Sequence, residues 1–435
     1  MNALIVTVDS LRFDVFERLV ASDELPNFKK FLKKSLVFSN AYSNGPYTMA
    51  SFPSILTGTH PFSSGPYDSL ENRAMISEIF RNSGYTTIGI PNNPLISSER
   101  GYDRGFDIFI NPWDLMSPAK NKMRNILKKI PLLFSIAKKI NKLFFSKGLP
   151  YTPSEVINEL LLRSLPDEKF FAWIHYMDVH HPYYPPKEYL PKSVSPGEAK
   201  KINSLVEKGL KTPEVLRGKL KKLKALYEAE VKHADAGFGK LLDDLSERGQ
   251  LRDTCIILTS DHGEEFLEHG AFGHTGIDNR THFYNELLRV PLAVFWKRVE
   301  PGYRKNVVDL VCIPPTLSEI FGLNFSFFEG ESLLRLKKDK PVLSEASRIN
   351  GVFKNVDPGD RVFSFIDSGL KIVTSPRTEL FDISKDSGEK NPIRDPDAVK
   401  EMIRRAEKYR ESFKNRRKEF ISGLVSQALK KIEGY

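Results

Sequence analysis

Cysteine is nearly absent from this chain: Cys255 and Cys312 are the two in 435 residues. That excludes a disulfide scaffold and a cysteine-based zinc site. Long apolar runs are missing too, and none approaches the roughly 20 residues that span a bilayer. The opening Met1-Asn2-Ala3-Leu4-Ile5-Val6 has no basic stretch and meets Asp9 too early for a signal peptide. These absences predict a cytoplasmic protein, with peripheral membrane contact at most. Internal repeats and low-complexity linkers are also lacking. What is present suffices for a sizeable core: 40% of residues are apolar and 28% charged, which argues against global disorder. The length allows two or three domains, or one large α/β domain with an appendage.

Acidic residues are missing from one stretch in particular. Residues 117–148 hold nine Lys or Arg and no Asp or Glu, and residues 400–435 hold eleven basic and five acidic side chains. The net charge is +10, so taking these two segments away leaves the rest at −5. A mildly acidic body is the wrong surface for a specific nucleic-acid partner. Within 117–148, apolar side chains alternate with Lys128, Lys129, Lys138, Lys139 and Lys142, and Pro131 divides the pattern into two short amphipathic helices. The segment reads either as a packed helical insertion or as a surface for anionic lipid or a polyanionic substrate. The tail reads as a solvated amphipathic helix.

Short β-rich runs at 4–8, 86–90, 170–176, 254–259 and 290–296 alternate with helix-patterned stretches at 72–83, 153–165 and 214–248. This alternation predicts an α/β fold with a mainly parallel sheet sandwiched by helices. Further runs at 341–344, 361–366 and 370–374 predict a small antiparallel C-terminal α+β subdomain. The expected boundaries are 1–325 for the catalytic part, with 117–148 inserted, 326–398 for the subdomain and 399–435 for the tail.

In open α/β sheets, ligands bind beyond the carboxyl ends of the strands. The first run ends at Asp9. The run at 170–176 leads into Asp178-Val179-His180-His181-Pro182-Tyr183, and that at 254–259 into Ser260-Asp261-His262-Gly263-Glu264, with His269 and His274 beyond. Six of the nine histidines fall in the last two stretches. Carboxylate oxygens from Asp9 and Asp261 with a His262 nitrogen make a plausible metal corner; the competing reading is that Asp261 caps a following helix. Thr48 reads as the N-cap of a helix closed by Gly58 and kinked at Pro53, with its hydroxyl where backbone N–H groups favour an oxyanion.

Taken together and in order, these pieces resemble the sulfatase family of the alkaline phosphatase superfamily. The resemblance runs through Val6-Thr7-Val8-Asp9, Leu56-Thr57-Gly58, Asn93-Pro94, Arg104-Gly105-Phe106-Asp107, Asp178 to Tyr183, the Asp261-His262-Gly263-Glu264 block, His269-Gly270, Gly273-His274, Arg289-Val290-Pro291-Leu292, Pro315-Thr316-Leu317 and Leu380-Phe381-Asp382-Ile383. It covers about residues 1–395. It implies an alkaline phosphatase-like fold and a metal-dependent hydrolase of sulfate or phosphate esters. The implied metal ligands are Asp9, Thr48, Asp261 and His262, the implied nucleophile is Thr48, and His180 and His274 would stabilise charge or protonate the leaving oxygen. Implied substrate contacts are Asn93, Asp178, His180, His269 and His274. Mixed oxygen and nitrogen ligands suit zinc or manganese better than calcium or magnesium.

Two departures bear on the substrate. The family signature, Cys or Ser-x-Pro-x-Arg, reads Thr48, Ala50 and Phe52 here, so the aldehyde that sulfatases make from cysteine or serine is not expected, and a phosphoester is favoured. The paired aspartates of the first ligand strand are Asp9-Ser10. Two further readings stay open: a transferase moving a phospho-group onto a lipid or glycan, and an inactive polyanion-binding member of the fold.

Overall fold

The computed structural model describes residues 1–116, 151–274, 276, 280–323, 327–349 and 356–433, with side chains at 115, 116 and 419–433 left aside. Strands β1 (Asn2–Val8), β2 (Leu36–Tyr42), β3 (Thr86–Ile90), β4 (Ile108–Phe109), β5 (Phe170–Tyr176), β6 (Thr254–Ser260), the short ribbon β7 (Glu265–Phe266) and β8 (Phe272–Gly273), β9 (Arg289–Phe295) and β10 (Gly302–Asp309) follow in chain order. All but the ribbon share one sheet, ordered β10-β2-β9-β6-β1-β5-β3-β4. Neighbours run parallel except at β9, which is antiparallel to both β2 and β6.

The three central strands are apolar throughout because both faces are covered. Their alternation sorts side chains to opposite sides. Leu4, Val6, Val8, Phe170, Ala172, Ile174, Ile256 and Leu258 enter one core, roofed by helices Phe13–Ala21, Ser154–Ser164 and Leu220–Glu247. Ala3, Ile5, Phe171, Trp173, Cys255 and Ile257 enter the other, under helices Thr48–Thr57, Ile76–Asn82 and Ile313–Phe321. The same odd-numbered alternation turns Thr7 and His175 toward helix Thr48–Thr57, and the Phe52 ring meets His175 edge-on at 5.1 Å.

A second sheet, β11 (Val342–Ser347), β12 (Arg361–Asp367), β13 (Leu370–Val373) and β14 (Glu379–Asp382), is antiparallel throughout. One face packs on Tyr42, Tyr47, Phe283 and Leu288 beside the main sheet. The other receives helix Pro396–Glu433, which buries Met402, Ala406 and Phe413 against Leu343, Phe365 and Leu380. The tail therefore begins by docking an apolar face, where the sequence reading had it solvated.

Other local expectations are corrected as well. The N-cap of helix Thr48–Thr57 is Tyr47, and Thr48 is the first helical residue. No helix follows β6; the chain goes into β7, so Asp261 is no cap. The stretch 214–248 divides into a 3₁₀ segment, Pro213–Lys219, and helix Leu220–Glu247. Residues 117–148, with the expected amphipathic pair, lie outside the described residues. Among the described residues, no helix is long and apolar enough to cross a membrane.

Candidate active site

Asp9 follows β1, Asp261 and His262 follow the adjacent β6, and Asn93 follows β3. Helix Thr48–Thr57 brings Thr48 to the same point. Asp9 and Asp261 are wholly buried, and one ligand atom each from Asp9, Asp261 and His262 lies within 4.8 Å of the other two. Thr48 Oγ1 stands 3.4 Å from Asp9 Oδ2 and 3.3 Å from His262 Nε2. Asn93 Nδ2 donates to Asp9 Oδ2 at 3.1 Å and reaches Thr48 Oγ1 at 3.4 Å. Thr48, Asp9, Asn93, Asp261 and His262 thus form a single group.

Local chemistry holds this group in place. Ser10, at φ 59°, donates from Oγ to Asp9 Oδ1 at 2.9 Å and from its N–H to Asp261 Oδ1 at 3.4 Å. It braces both carboxylates where the family has a second aspartate. His262 Nδ1 lies 2.8 Å from the Gly263 carbonyl. A carbonyl only accepts, so Nδ1 carries a proton, which leaves Nε2, facing Thr48, as the nitrogen able to bind a cation. Ser51 Oγ donates to the Asp261 carbonyl at 2.7 Å, tying β6 to the helix.

The electrostatics are asymmetric. Burial works to raise the Asp9 carboxyl, but His180, His175 and His262 together hold it well below its usual range. Burial, and then repulsion from Asp9, push Asp261 up to about 6. Asp261 Oδ2 is buried, faces His262 Nε2 at 3.4 Å, and accepts no hydrogen bond among the described residues. An orphaned carboxylate oxygen beside a second carboxylate and an imidazole lone pair is a donor set that a divalent cation satisfies. The residues present therefore fit the metal that the sulfatase resemblance implies.

A second group adjoins the first. His180 and His181 stack at 4.3 Å between ring centroids, and the His274 ring lies 5.2 Å from His180 and 4.5 Å from His262. Glu264, wholly buried, bridges His181 Nδ1 at 3.0 Å and His274 Nδ1 at 2.9 Å. Burial would raise Glu264, yet His181 and His274 hold it well below its ordinary value. Burial, aided by His181, pushes His180 down to about 3. Burial lowers His274 as well.

The structure does not bring the other expected site residues into contact with Thr48 among the described contacts. Asp178 Oδ1 accepts from the Ser154 N–H and hydroxyl, both at 3.1 Å, and faces His233 Nδ1 at 3.3 Å. It anchors the start of the His180 loop. His269 stacks on Tyr284 at 3.5 Å and faces Glu286.

Two residues without an expected role do join the site. His175 Nε2 lies 3.1 Å from Asp9 Oδ2, and Glu264 is the clamp just described. A histidine in an otherwise apolar strand, two residues short of the strand-end loop, was the available signal for His175. Glu264 carried no signal beyond its place in the Asp261-His262-Gly263-Glu264 block.

Solved structures share the architecture. The phosphonate monoester hydrolase of Agrobacterium radiobacter superposes with a TM-score of 0.70 at 17% identity, over 95% of this chain and 96% of that one. A protein solved in complex with its substrate D-glucosamine-2-N,6-O-disulfate also gives 0.70, at 16% identity, over 95% and 98%. The class of fold is thereby defined: a mostly parallel sheet flanked by helices, with a small C-terminal antiparallel sheet. Within that class the Sulfatase family profile matches residues 1–323, and the chain belongs to the sulfatase family. A sulfatase of Formosa agariphila is 22% identical over 398 residues, which cover 81% of this chain and 76% of that protein.

Proposed function

We propose that the protein cleaves anionic esters through a covalent intermediate on Thr48, and that phosphoesters are better substrates than sulfate esters. The observation that carries this is the position of Thr48 Oγ1, 3.4 Å from Asp9 Oδ2 and 3.3 Å from the His262 Nε2 lone pair. A nucleophilic hydroxyl needs a group that draws off its proton. Asp9 Oδ2 is the acceptor within reach, since the one lone pair of His262 would be taken by a cation. A divalent ion held by Asp9, Asp261, His262 and the Thr48 oxygen would supply Lewis acidity and lower the hydroxyl pKa. The mixed oxygen and nitrogen set favours zinc or manganese over calcium or magnesium.

Thr48 Oγ then forms the new bond to phosphorus or sulfur as the ester oxygen departs with the bonding pair. Asn93 Nδ2 donates to a substrate oxygen, and His180 and His274 face the charge of the leaving oxygen. Water attacks the adduct and restores the Thr48 hydroxyl. Asp178 acts by holding the His180 loop. Phosphoester preference rests on Thr48: an unconverted hydroxyl has no aldehyde-hydrate route for releasing sulfate. The natural ester is proposed to sit on a glycan or lipid; the structural relative bound to a disulfated glucosamine supports the sugar.

Thr48→Ala is expected to abolish turnover with the fold intact. The Thr48 hydroxyl caps no backbone N–H, so the usual cap loss of about 1 kcal/mol does not apply. Acid quenching of the wild-type reaction should trap a phosphorylated or sulfated Thr48, detectable by peptide mass spectrometry. Wild-type activity in Thr48→Ala would sink the covalent route. A kcat/KM for sulfate esters above every phosphate mono- and diester tested would reverse the preference.

A further inference from the structure

We propose that Tyr227 is a positioning residue for the Thr48 group: its hydroxyl pins the turn Ser10-Leu11-Arg12 in the conformation that brings Asp9 and Asp261 together. The inference rests on reading that group as a cation centre. Ser10 has φ 59°, in the left-handed region that residues other than glycine seldom adopt. Serine has no preference for that conformation, so the surroundings must impose it. The Tyr227 hydroxyl does so from helix Leu220–Glu247. It donates to the Ser10 carbonyl at 2.8 Å and accepts from the Arg12 N–H at 2.9 Å. A carbonyl only accepts and an N–H only donates, so each bond has one possible sense. Among the described hydrogen bonds, neither backbone group has another partner.

The turn is the junction of the two ligand-bearing strand ends. Ser10 Oγ donates to Asp9 at 2.9 Å, and its N–H to Asp261 at 3.4 Å. The Leu11 N–H donates to Ser260 Oγ at 3.0 Å, at the end of β6. The Arg12 guanidinium donates to the Glu264 carbonyl at 3.1 Å and pairs with Glu268 at 2.9 Å. The turn thus ties the end of β1 to the segment that carries Asp261 and His262. The φ angle of Ser10 sets the direction of its N–H relative to its Cβ. A change to negative φ therefore pulls the N–H or the hydroxyl off its carboxylate, and two buried carboxylates repel once a donor between them is lost.

Tyr227 is itself fixed. It is 1% exposed, and its ring meets Tyr183 and Phe266 edge-on at 5.6 and 5.1 Å. Phenylalanine fits the same packing and lacks only the hydroxyl. Among the described contacts Tyr227 meets neither Thr48 nor the two carboxylates, so it acts through the turn.

The test reads the affinity of the resting protein for Mn²⁺, with no substrate present. Full-length protein is stripped with chelator and titrated with Mn²⁺ by calorimetry, with circular dichroism and Tm recorded for every variant. Tyr227→Phe should bind about 10- to 100-fold more weakly than wild type. Ser10→Ala should weaken binding too. The double variant should lose less than the product of the two losses, because both act through one turn. A lower Tm with unchanged affinity in Tyr227→Phe overturns the proposal, since packing alone accounts for that. Losses that multiply in the double variant overturn it as well. Should Tyr227→Phe misfold, Ser10→Gly and Ser10→Ala carry the test: both lack the hydroxyl, but glycine takes positive φ freely and alanine does not. Glycine should then bind Mn²⁺ more tightly, and equal affinities overturn the proposal. Asp261→Asn separates the two readings. If it binds Mn²⁺ as wild type does, the cation reading of the Thr48 group fails, and the metal-free crystal structure of Tyr227→Phe decides on Tyr227. Ser10 should have left the left-handed region there, and Ser10 still near φ 59° overturns the proposal.

Discussion

At the scale of single residues, His60 joins the region of the Thr48 helix to the far end of the chain. It lies just beyond that helix, with Nδ1 2.8 Å from Glu329 Oε2 and Nε2 3.6 Å from Asp309 Oδ2, and its ring stacks on Phe413 at 4.2 Å. Burial lowers the imidazole pKa, but Asp309 and Glu329 prevail and raise it to about 9. A histidine with a raised folded value adds stability that is full below its unfolded value of 6.5 and is lost as pH climbs through about 9. The shift corresponds to about 3 kcal/mol. Urea unfolding of wild type should therefore weaken between pH 6.5 and 9, and His60→Gln should be less stable at pH 6 with that slope removed. Parallel pH profiles for the two proteins would show that His60 is neutral in the fold. Asp9, Asp261 and His262 were legible at this scale because they are polar residues placed just beyond buried strands, whereas Asn93 came with the family resemblance. Asp178 and His269 are substrate contacts only by implication of the family resemblance. Proximity in sequence does not fix where a side chain turns, and both found other partners.

At the scale of elements, the segment after β6 depends on one glycine. Gly263 donates its N–H to the Leu287 carbonyl at 2.7 Å, and a Cβ there would fall 1.9 Å from the Glu286 carbonyl oxygen. Only a residue without a side chain lets this segment lie against helix Asn285–Leu288. Its neighbours His262 and Glu264 serve the two adjoining groups, so Gly263→Ala should weaken metal uptake at the Thr48 group while lowering Tm. Gly197→Ala is the contrast: nothing lies near its Cβ position, and a helical alanine there should stabilise by up to about 1 kcal/mol. Equal metal affinity in Gly263→Ala and wild type would show that the segment tolerates displacement. The central strands were readable as elements because burial on both faces demands continuous apolar runs. β2 and β10 were not. β10, Gly-Tyr-Arg-Lys-Asn-Val-Val-Asp, is an edge strand whose exposed half carries charge, and β2 breaks its apolar run at half-buried Ser39 and Asn40. β14 is four residues long, too short for alternation to register.

At the scale of the whole molecule, the basic surplus lies in two segments around an acidic body, and it predicts where anionic partners are drawn. Changing Lys128, Lys129, Lys138 and Lys139 together to Gln should weaken binding to anionic vesicles and polyanions and flatten its salt dependence. Turnover of a small soluble ester should stay near wild type, and unchanged vesicle and polyanion binding would leave the segment without this role. The order of the main sheet has a consequence of another kind, in the time domain of synthesis. β2 is made early, yet Phe38 pairs with Leu292 on one side and Arg304 on the other. Until β9 and β10 leave the ribosome, β2 has both edges bare, while β1 already meets β5. The nascent chain thus carries a half-built sheet through most of translation, and non-local pairing of this kind is slow and exposed to aggregation. The one antiparallel strand is the closing piece: when β9 slots between β2 and β6, the early half of the chain acquires its partner and the catalytic edge becomes continuous.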